Sequence, residues 1–343
     1  MTAEVSVLDP LADARWDDLL ERHPGATVFH SRGWLEALKR TYGYDPLVVT
    51  TAGRGPLANG LVACRVRTWA ARRLVSLPFS DHCEPLADRP DDLPALTTFL
   101  AAELAAGRWR SLELRPRTVG FSGLAEGASY CLHTLNLTRP AERIFGGFHP
   151  SSTRRAIRRA EREGLVYETG NSEHLLSCFY GLLRLTRRRH GLPPQPRTWF
   201  RNLSACLRDG LAVHVAMKGG LPVAGILTLS FKKTLVYKYG GSDARYHRLG
   251  GMPFVFWRAI QGAQAQGIQE LDLGRSDVDQ PGLTAFKDHL GATRSTLTYY
   301  TWPRRKAGKA HGGLALRAAR RITAYLPDFA LDLAGRLLYR HLG

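Results

Sequence analysis

Tyr237-Lys238-Tyr239-Gly240-Gly241-Ser242-Asp243 leaves a run rich in threonine, valine and tyrosine on paired glycines. Arg245-Tyr246-His247-Arg248-Leu249-Gly250-Gly251 then leads to an apolar segment opening at Pro253. The first part has the composition of a strand. The second reads as a turn, and proline in a helix's first turn costs nothing because the N–H it lacks has no intrahelical partner there. The reading is a strand over 234–240, a glycine turn and a helix over 253–266. Such a turn either presents backbone N–H groups to phosphate at a positive helix end or simply reverses the chain.

Working outward, strands are expected at 211–218 and 222–231, the latter a hairpin partner of 234–240 across Lys232-Lys233. Helices are expected at 152–163, 172–190 and 197–209 on one side. On the other come a strand at 270–273, a helix at 283–289 and a strand at 295–302. The first half runs in a similar order: helices at 12–21 and 31–41, with Ser31 as N-cap, strands at 47–51, 57–66 and 73–77, a helix at 92–106, and strands at 111–114 and 131–137. The fold class is α/β, in α+β layers, with mixed sheets flanked by helices. The two halves suggest a duplicated fold. Gly146-Gly147-Phe148-His149-Pro150 marks the break, giving domains at 1–145 and 146–303 and a basic helical tail at 304–343.

The chain has 343 residues, 44% of them hydrophobic, which excludes a disordered chain or a disulfide-dense miniprotein. Lys and Arg number 48 against 30 Asp and Glu, a formal charge of +18 that reflects either an anionic partner or compositional drift toward arginine. Five scattered cysteines without a Cys-x-x-Cys pair point to a reducing compartment. The first 20 residues carry five acidic side chains and no long apolar run, and no segment is apolar enough to span a bilayer, so a cytoplasmic protein is expected. In the tail, Ala315, Ala319, Ile322 and Leu326 face away from Arg317, Arg320 and Arg321 on a helical wheel. That helix either lies peripherally on anionic lipid or packs on the second domain.

Three segments carry chemistry. On the 152–163 helix, Arg154, Arg155, Arg158, Arg159 and Arg162 share one arc opposite Ala156, Ile157 and Ala160. Like charges at this spacing repel, and a phosphate or pyrophosphate would relieve them bidentately; a solvated basic face is the alternative. The loop Pro78-Phe79-Ser80-Asp81-His82-Cys83-Glu84-Pro85 brings together metal-ligating and nucleophilic types but lacks ligand spacing, so a rigid cleft-lining loop is expected and no metal. Leu271-Asp272-Leu273-Gly274-Arg275-Ser276-Asp277, followed by Phe286-Lys287 and Gly291-Ala292, could build one wall of a pocket.

Together with Phe29-His30-Ser31-Arg32-Gly33-Trp34-Leu35 and Leu77-Pro78-Phe79-Ser80-Asp81, these segments resemble the FemAB-like, BioF2-like acetyltransferase-domain family, the Fem-type branch of the GNAT N-acetyltransferases. The resemblance covers most of 25–300. It implies two tandem GNAT-like domains and an acyltransferase that forms an amide on an amine of a phosphate-bearing or lipid-linked envelope or polysaccharide precursor. The donor would be a co-substrate, acyl-CoA or aminoacyl-tRNA, with no permanently bound cofactor. tRNA would be a partner in the second case, and no DNA is expected. Catalytic residues would be Lys287, whose ammonium stabilises the oxyanion, Phe286, whose carbonyl orients the amine, and Asp243, with Asp277 or solvent as alternative bases. Arg154, Arg155, Arg158, Tyr239, Ser242, Arg275 and Asp277 would bind substrate. Arg248, Gly250 and Gly251 stand where acetyl-CoA enzymes keep a donor-phosphate loop, although the glycine spacing differs. No helical-hairpin insertion of the kind used to engage tRNA is visible. Two other readings remain: a non-catalytic RNA- or phosphate-binding protein on the same fold, and an acetyl-CoA-dependent N-acetyltransferase of a small amine.

Overall fold

The structure, a computed structural model, describes residues 5–67, 72–118, 120–121, 123–303 and 327–342. These form two compact units, one of residues 5–130, 296–303 and 338–342, the other of 131–295 and 327–337. The units therefore divide at 130, inside a strand, and the first takes back a late segment, unlike the 145/146 division expected from sequence.

Unit one begins with β1 (Ser6–Leu8), α1 (Arg15–Arg22) and α2 (Arg32–Tyr42), whose N-cap Ser31 accepts the Trp34 amide as expected. Then come β2 (Asp45–Thr50), β3 (Leu61–Arg67), β4 (Arg72–Ser76), α3 (Asp92–Ala105) and β5 (Ser111–Leu114). β1 to β4 form an antiparallel meander, and α3 carries the chain over to β5, which lies parallel to β4. β6 (Ala125–Asn136) runs into unit two, and the later part of β12 (Thr293–Trp302) returns to pair with β5. Leu47, Leu61 and Leu74 from the sheet meet Leu96, Leu100 and Leu104 of α3 in one core.

Unit two follows the same plan. After α4 (Ala141–Gly147), α5 (Arg155–Arg162), β7 (Val166–Gly170), α6 (Glu173–Arg189) and α7 (Arg197–Leu207), strands β8 (Leu211–Lys218), β9 (Leu221–Phe231) and β10 (Thr234–Ser242) form a second antiparallel meander. α8 (Gly251–Ala265) then crosses to β11 (Glu270–Asp277), parallel to β10, and α9 (Pro281–His289) follows. Antiparallel meander, crossover helix and parallel strand recur in each unit, which is the tandem arrangement expected. Val255, Phe256 and Ile260 of α8 and Ile157 and Ala160 of α5 lie in the core of this unit.

Two details depart from the sequence reading. The 152–163 helix is preceded by a π turn over Pro150–Arg154, because the Thr153 and Arg154 amides both bond the His149 carbonyl. β11 runs four residues beyond the expected 273. The basic run of the tail, 304–326, lies outside the described residues, and α10 (Asp328–Leu342) follows it. In unit two α10 is held by Tyr180 Oη to Asp332 Oδ1 at 2.9 Å and buries Leu331. A Cβ built on Gly335 would lie 2.1 Å from the Pro194 carbonyl oxygen. Among the described residues, no helix is long and apolar enough to cross a membrane.

Candidate active site

β10 and β11 pair over only three residues, Thr234↔Glu270 to Val236↔Asp272, although both strands continue, to Ser242 and Asp277. Parallel strands that part in this way open a wedge at their carboxyl ends, the usual ligand position in open α/β sheets. The chain leaving β10 turns through a 3-10 segment, Ala244–Leu249, and enters α8 at Gly251. Gly250 has φ +77°, and a Cβ there would approach the Ala156 carbonyl oxygen to 2.4 Å, so this glycine lets α5 pack on the turn. Arg159 strengthens that contact, donating to the Arg248 carbonyl at 3.0 Å.

At the α8 N-terminus lies a cavity of about 280 Å³, lined by Ser242, Tyr246, His247, Met252 and Phe286, with Val223 and Ala224 on β9. Gly251 also contributes, at the first turn of α8. Ser242 Oγ is 2.9 Å from His247 Nε2, and Arg189 approaches the same nitrogen at 3.2 Å. Partial desolvation of the largely exposed His247 ring, then the Arg189 charge, lowers its pKa below the ordinary imidazole value, which favours the neutral ring at pH 7. His247 stood in the quoted turn without a role; nothing local in sequence marks its approach to Arg189 from α6.

Phe286 forms part of the cavity wall and packs edge-on against Phe256 at 5.5 Å. Lys287 is 2% exposed, and its ammonium donates to the carbonyls of Gly274 (2.8 Å) and Arg275 (3.1 Å) on β11. Gly274 takes φ +69°, a bend open to glycine that turns the strand there. Alongside, the buried His133 of β6 has Nε2 3.2 Å from Asp288 Oδ1. Burial and then the Lys287 charge lower the His133 pKa, so this ring too is neutral at pH 7.

The other expected site residues fall in several places. Asp243 lines a neighbouring cavity of about 310 Å³ rather than the one holding Phe286. Arg245 clamps both of its oxygens, at 2.6 to 3.1 Å, and holds its carboxyl below the ordinary range, which makes it a weak base. Tyr239 is a correction: its ring is buried against Phe200 and its hydroxyl accepts Trp199 Nε1 at 2.9 Å, so it belongs to the core. Its strand alternates faces, and a β-bulge between Tyr237 and Tyr239 resets the pattern. Arg155 and Arg158 are exposed on α5, with Arg158 6.0 Å from the Phe145 ring, and Arg154 is half-buried on the π turn; none lines the 280 Å³ cavity. Arg275 and Asp277 are half-buried at the end of β11, outside that lining, and Asp277 accepts Gln280 Nε2 at 2.9 Å. Arg248 is exposed, Gly250 serves packing, and Gly251 alone of the three lines the cavity.

Residues 149–288 match the family described as acetyltransferase (GNAT) domain. UDP-N-acetylmuramoylpentapeptide-lysine N(6)-alanyltransferase of Weissella viridescens is 28% identical over 110 residues, 32% of this chain and 33% of that protein. The chain thus matches about a third of that curated relative's length. The crystal structure of FemX is similar over 86% of this chain and 96% of its own, with TM-score 0.68 and 13% identity. A tandem GNAT protein from the clavulanic acid biosynthesis pathway is similar over 90% of this chain and all of its own, with TM-score 0.50 and 14% identity. At these identities the two structures share a fold with this chain.

Proposed function

We propose, from the premise that residues 149–288 are a GNAT acetyltransferase domain homologous to the Fem family, that the chain transfers an acyl or aminoacyl group to an amine of a phosphate-bearing cell-envelope precursor. One observation carries the reading. The buried ammonium of Lys287 is fixed by two β11 carbonyls next to Phe286, which walls the cavity at the α8 N-terminus.

The acceptor nitrogen attacks the acyl carbon, a C–N bond forms, and the carbonyl oxygen gains negative charge. As that oxygen re-forms its double bond, the C–O bond to a tRNA ribose or the C–S bond to CoA breaks. The leaving oxygen or sulfur takes up the proton shed by nitrogen. A cation held in a water-poor setting stabilises the oxyanion without reorganising. In this reading Lys287, next to Phe286 but not itself among the residues lining the cavity, fills that role, because its carbonyl partners fix it in place before substrate arrives. His247 is the basic group on the cavity wall, neutral and within reach of Ser242. Asp243, clamped by Arg245, is the poorer proton acceptor.

The α8 N-terminus supports an acyl-CoA donor as the second reading, because Gly251 and Met252 of its first turn line the cavity and first-turn amides of a helix can hold phosphate. The exposed α5 arginines support the phosphate of the acceptor or of a nucleic acid. Both donors are tested together by offering the purified chain acyl-CoA or aminoacyl-tRNA with a nucleotide-linked peptide bearing a lysine amine, and reading the added mass. Lys287→Met keeps the aliphatic stem in its slot and removes the charge. The expected result is a roughly 10²–10³-fold lower kcat with substrate affinities nearly unchanged. Full activity in that variant would leave Lys287 as a prop for β11 and remove the basis of the reading.

A further inference from the structure

In unit one, the sheet face beneath α3 changes character along its length. Alternation places Leu61, Ala63, Arg65 and Arg67 of β3 on that face, and the register sets Arg65 opposite Leu74 and Arg67 opposite Arg72. The apolar part is packed under α3. Between the arginine end of the face and α3 lies a cavity of about 390 Å³. Leu47, Val49, Leu74, Phe99 and Leu100 form its apolar walls. Arg65, Arg67, Arg72, Arg108 and Glu103 form its polar ones, beside Trp109.

The charges in this cavity are unevenly matched. Arg65 is paired with Asp45 at 2.8 Å, and Arg108 with Glu103. Arg67 instead lies over the Trp109 ring, 5.6 Å from its centroid, and neither Arg67 nor Arg72 has a carboxylate partner among the described residues. Like charges set directly opposite on paired strands destabilise the sheet. Two exposed guanidinium groups that no carboxylate of the described residues pairs thus stand beside an apolar cavity, where an anion would be favoured and the cavity suits a hydrocarbon.

We propose that this cavity binds a small amphipathic anion, with a phosphate or carboxylate held between Arg67 and Arg72 and an apolar chain laid on Leu47, Leu74 and Phe99. A guanidinium pair matches the oxygens of such a head group. The volume falls within the range of small-molecule sites. Binding relieves the repulsion between the two arginines and covers apolar wall at the same time, so the two halves of the ligand reinforce one another. The site stands on unit one alone and is independent of the acyl-transfer reading.

The test titrates the full chain calorimetrically with decyl phosphate below its aggregation concentration, with decanol and with inorganic phosphate. Decyl phosphate is expected to bind saturably, as a single molecule per chain, and at least about tenfold more tightly than either other probe. Arg67→Ala and Arg72→Ala should each weaken it by roughly tenfold, as loss of a charge-assisted hydrogen bond does, and added salt should weaken it too. Arg89→Ala, an exposed arginine outside the cavity, should change nothing. Both rim arginines are exposed, and thermal unfolding checks that their variants keep the fold. Decanol binding as tightly as decyl phosphate would overturn the anionic half of the proposal, and inorganic phosphate doing so would overturn the apolar half. No binding, or binding indifferent to both arginine substitutions, would overturn the site.

Discussion

Cys83 and His30, 53 positions apart in sequence, meet at 3.4 Å between Sγ and Nε2 in unit one. Their environment keeps the pair chemically quiet. Burial pushes the thiol far up, and burial also lowers the imidazole to about 4, so both groups are neutral at pH 7. The ring nitrogens are committed as well, with Nδ1 accepting the Thr27 amide and Nε2–H donating to the Glu84 carbonyl. Neither His30 ring nitrogen is left to take the thiol proton, so the Cys83–His30 pair is not arranged as a nucleophile and its base. Iodoacetamide at pH 8 is expected to label the half-buried Cys131, Cys178 and Cys206 in the folded chain, and Cys64 and Cys83 only after unfolding. Peptide mass mapping decides it, and early labelling of Cys83 would mark the Pro78-to-Pro85 loop as open and its thiol as reactive.

Two glycines of unit two separate conformational need from mere composition. Gly250 combines φ +77° with a close backbone neighbour, whereas Gly262, inside α8, has no atom within 4 Å of a built Cβ. Gly250→Ala should lose at least about 1–2 kcal/mol from the left-handed backbone alone, before any cost of moving α5. Gly262→Ala should gain up to about 1 kcal/mol. Urea unfolding of both variants checks the pair, and equal effects would contradict this account of the turn. The strand, turn and helix around Gly250 were legible in sequence because their signals are local: β-formers, paired glycines and an early proline. β7 and α4 were not, since Val166–Gly170 is short and mostly exposed and Ala141–Gly147 carries two glycines. Lys287 could be named from a motif, but the Gly274 and Arg275 carbonyls that hold it could not, because that pairing arises only when α9 packs back on the bent β11. Tyr239 failed for a related reason: a bulge resets the alternation that would otherwise place it.

At the scale of the whole molecule, among the described residues each unit contains one deeply buried histidine whose pKa burial lowers to about 4, His30 in unit one and His214 in unit two. His214 stays neutral amid hydroxyl partners, with Tyr167 and Thr169 at Nδ1 and Thr228 at Nε2. In the unfolded chain both would titrate near 6.5. As pH falls, the unfolded chain therefore binds protons that the folded chain refuses. The stability that each histidine lends is full above pH 6.5 and is lost between 6.5 and 4, by up to about 1.4 kcal/mol per pH unit per group. Hydrogen exchange at pH 7.5 and 5 should show protection falling in both units, and equal protection at the two values would refute the assignment.

The last helix bears on how shortened versions of the chain behave. Gly335 leaves no room for a side chain against the Pro194 carbonyl, Leu331 is fully covered, and Asp332 holds the Tyr180 hydroxyl. A truncation at residue 303 intended to delete a lipid-binding tail would also strip a fitted wall from unit two, baring apolar surface and leaving the Tyr180 hydroxyl with the Gln195 carbonyl in place of its carboxylate partner. Loss of vesicle binding in such a fragment would first report damaged packing. Neutralising arginines within 304–326 while keeping α10 is the cleaner way to ask about lipid.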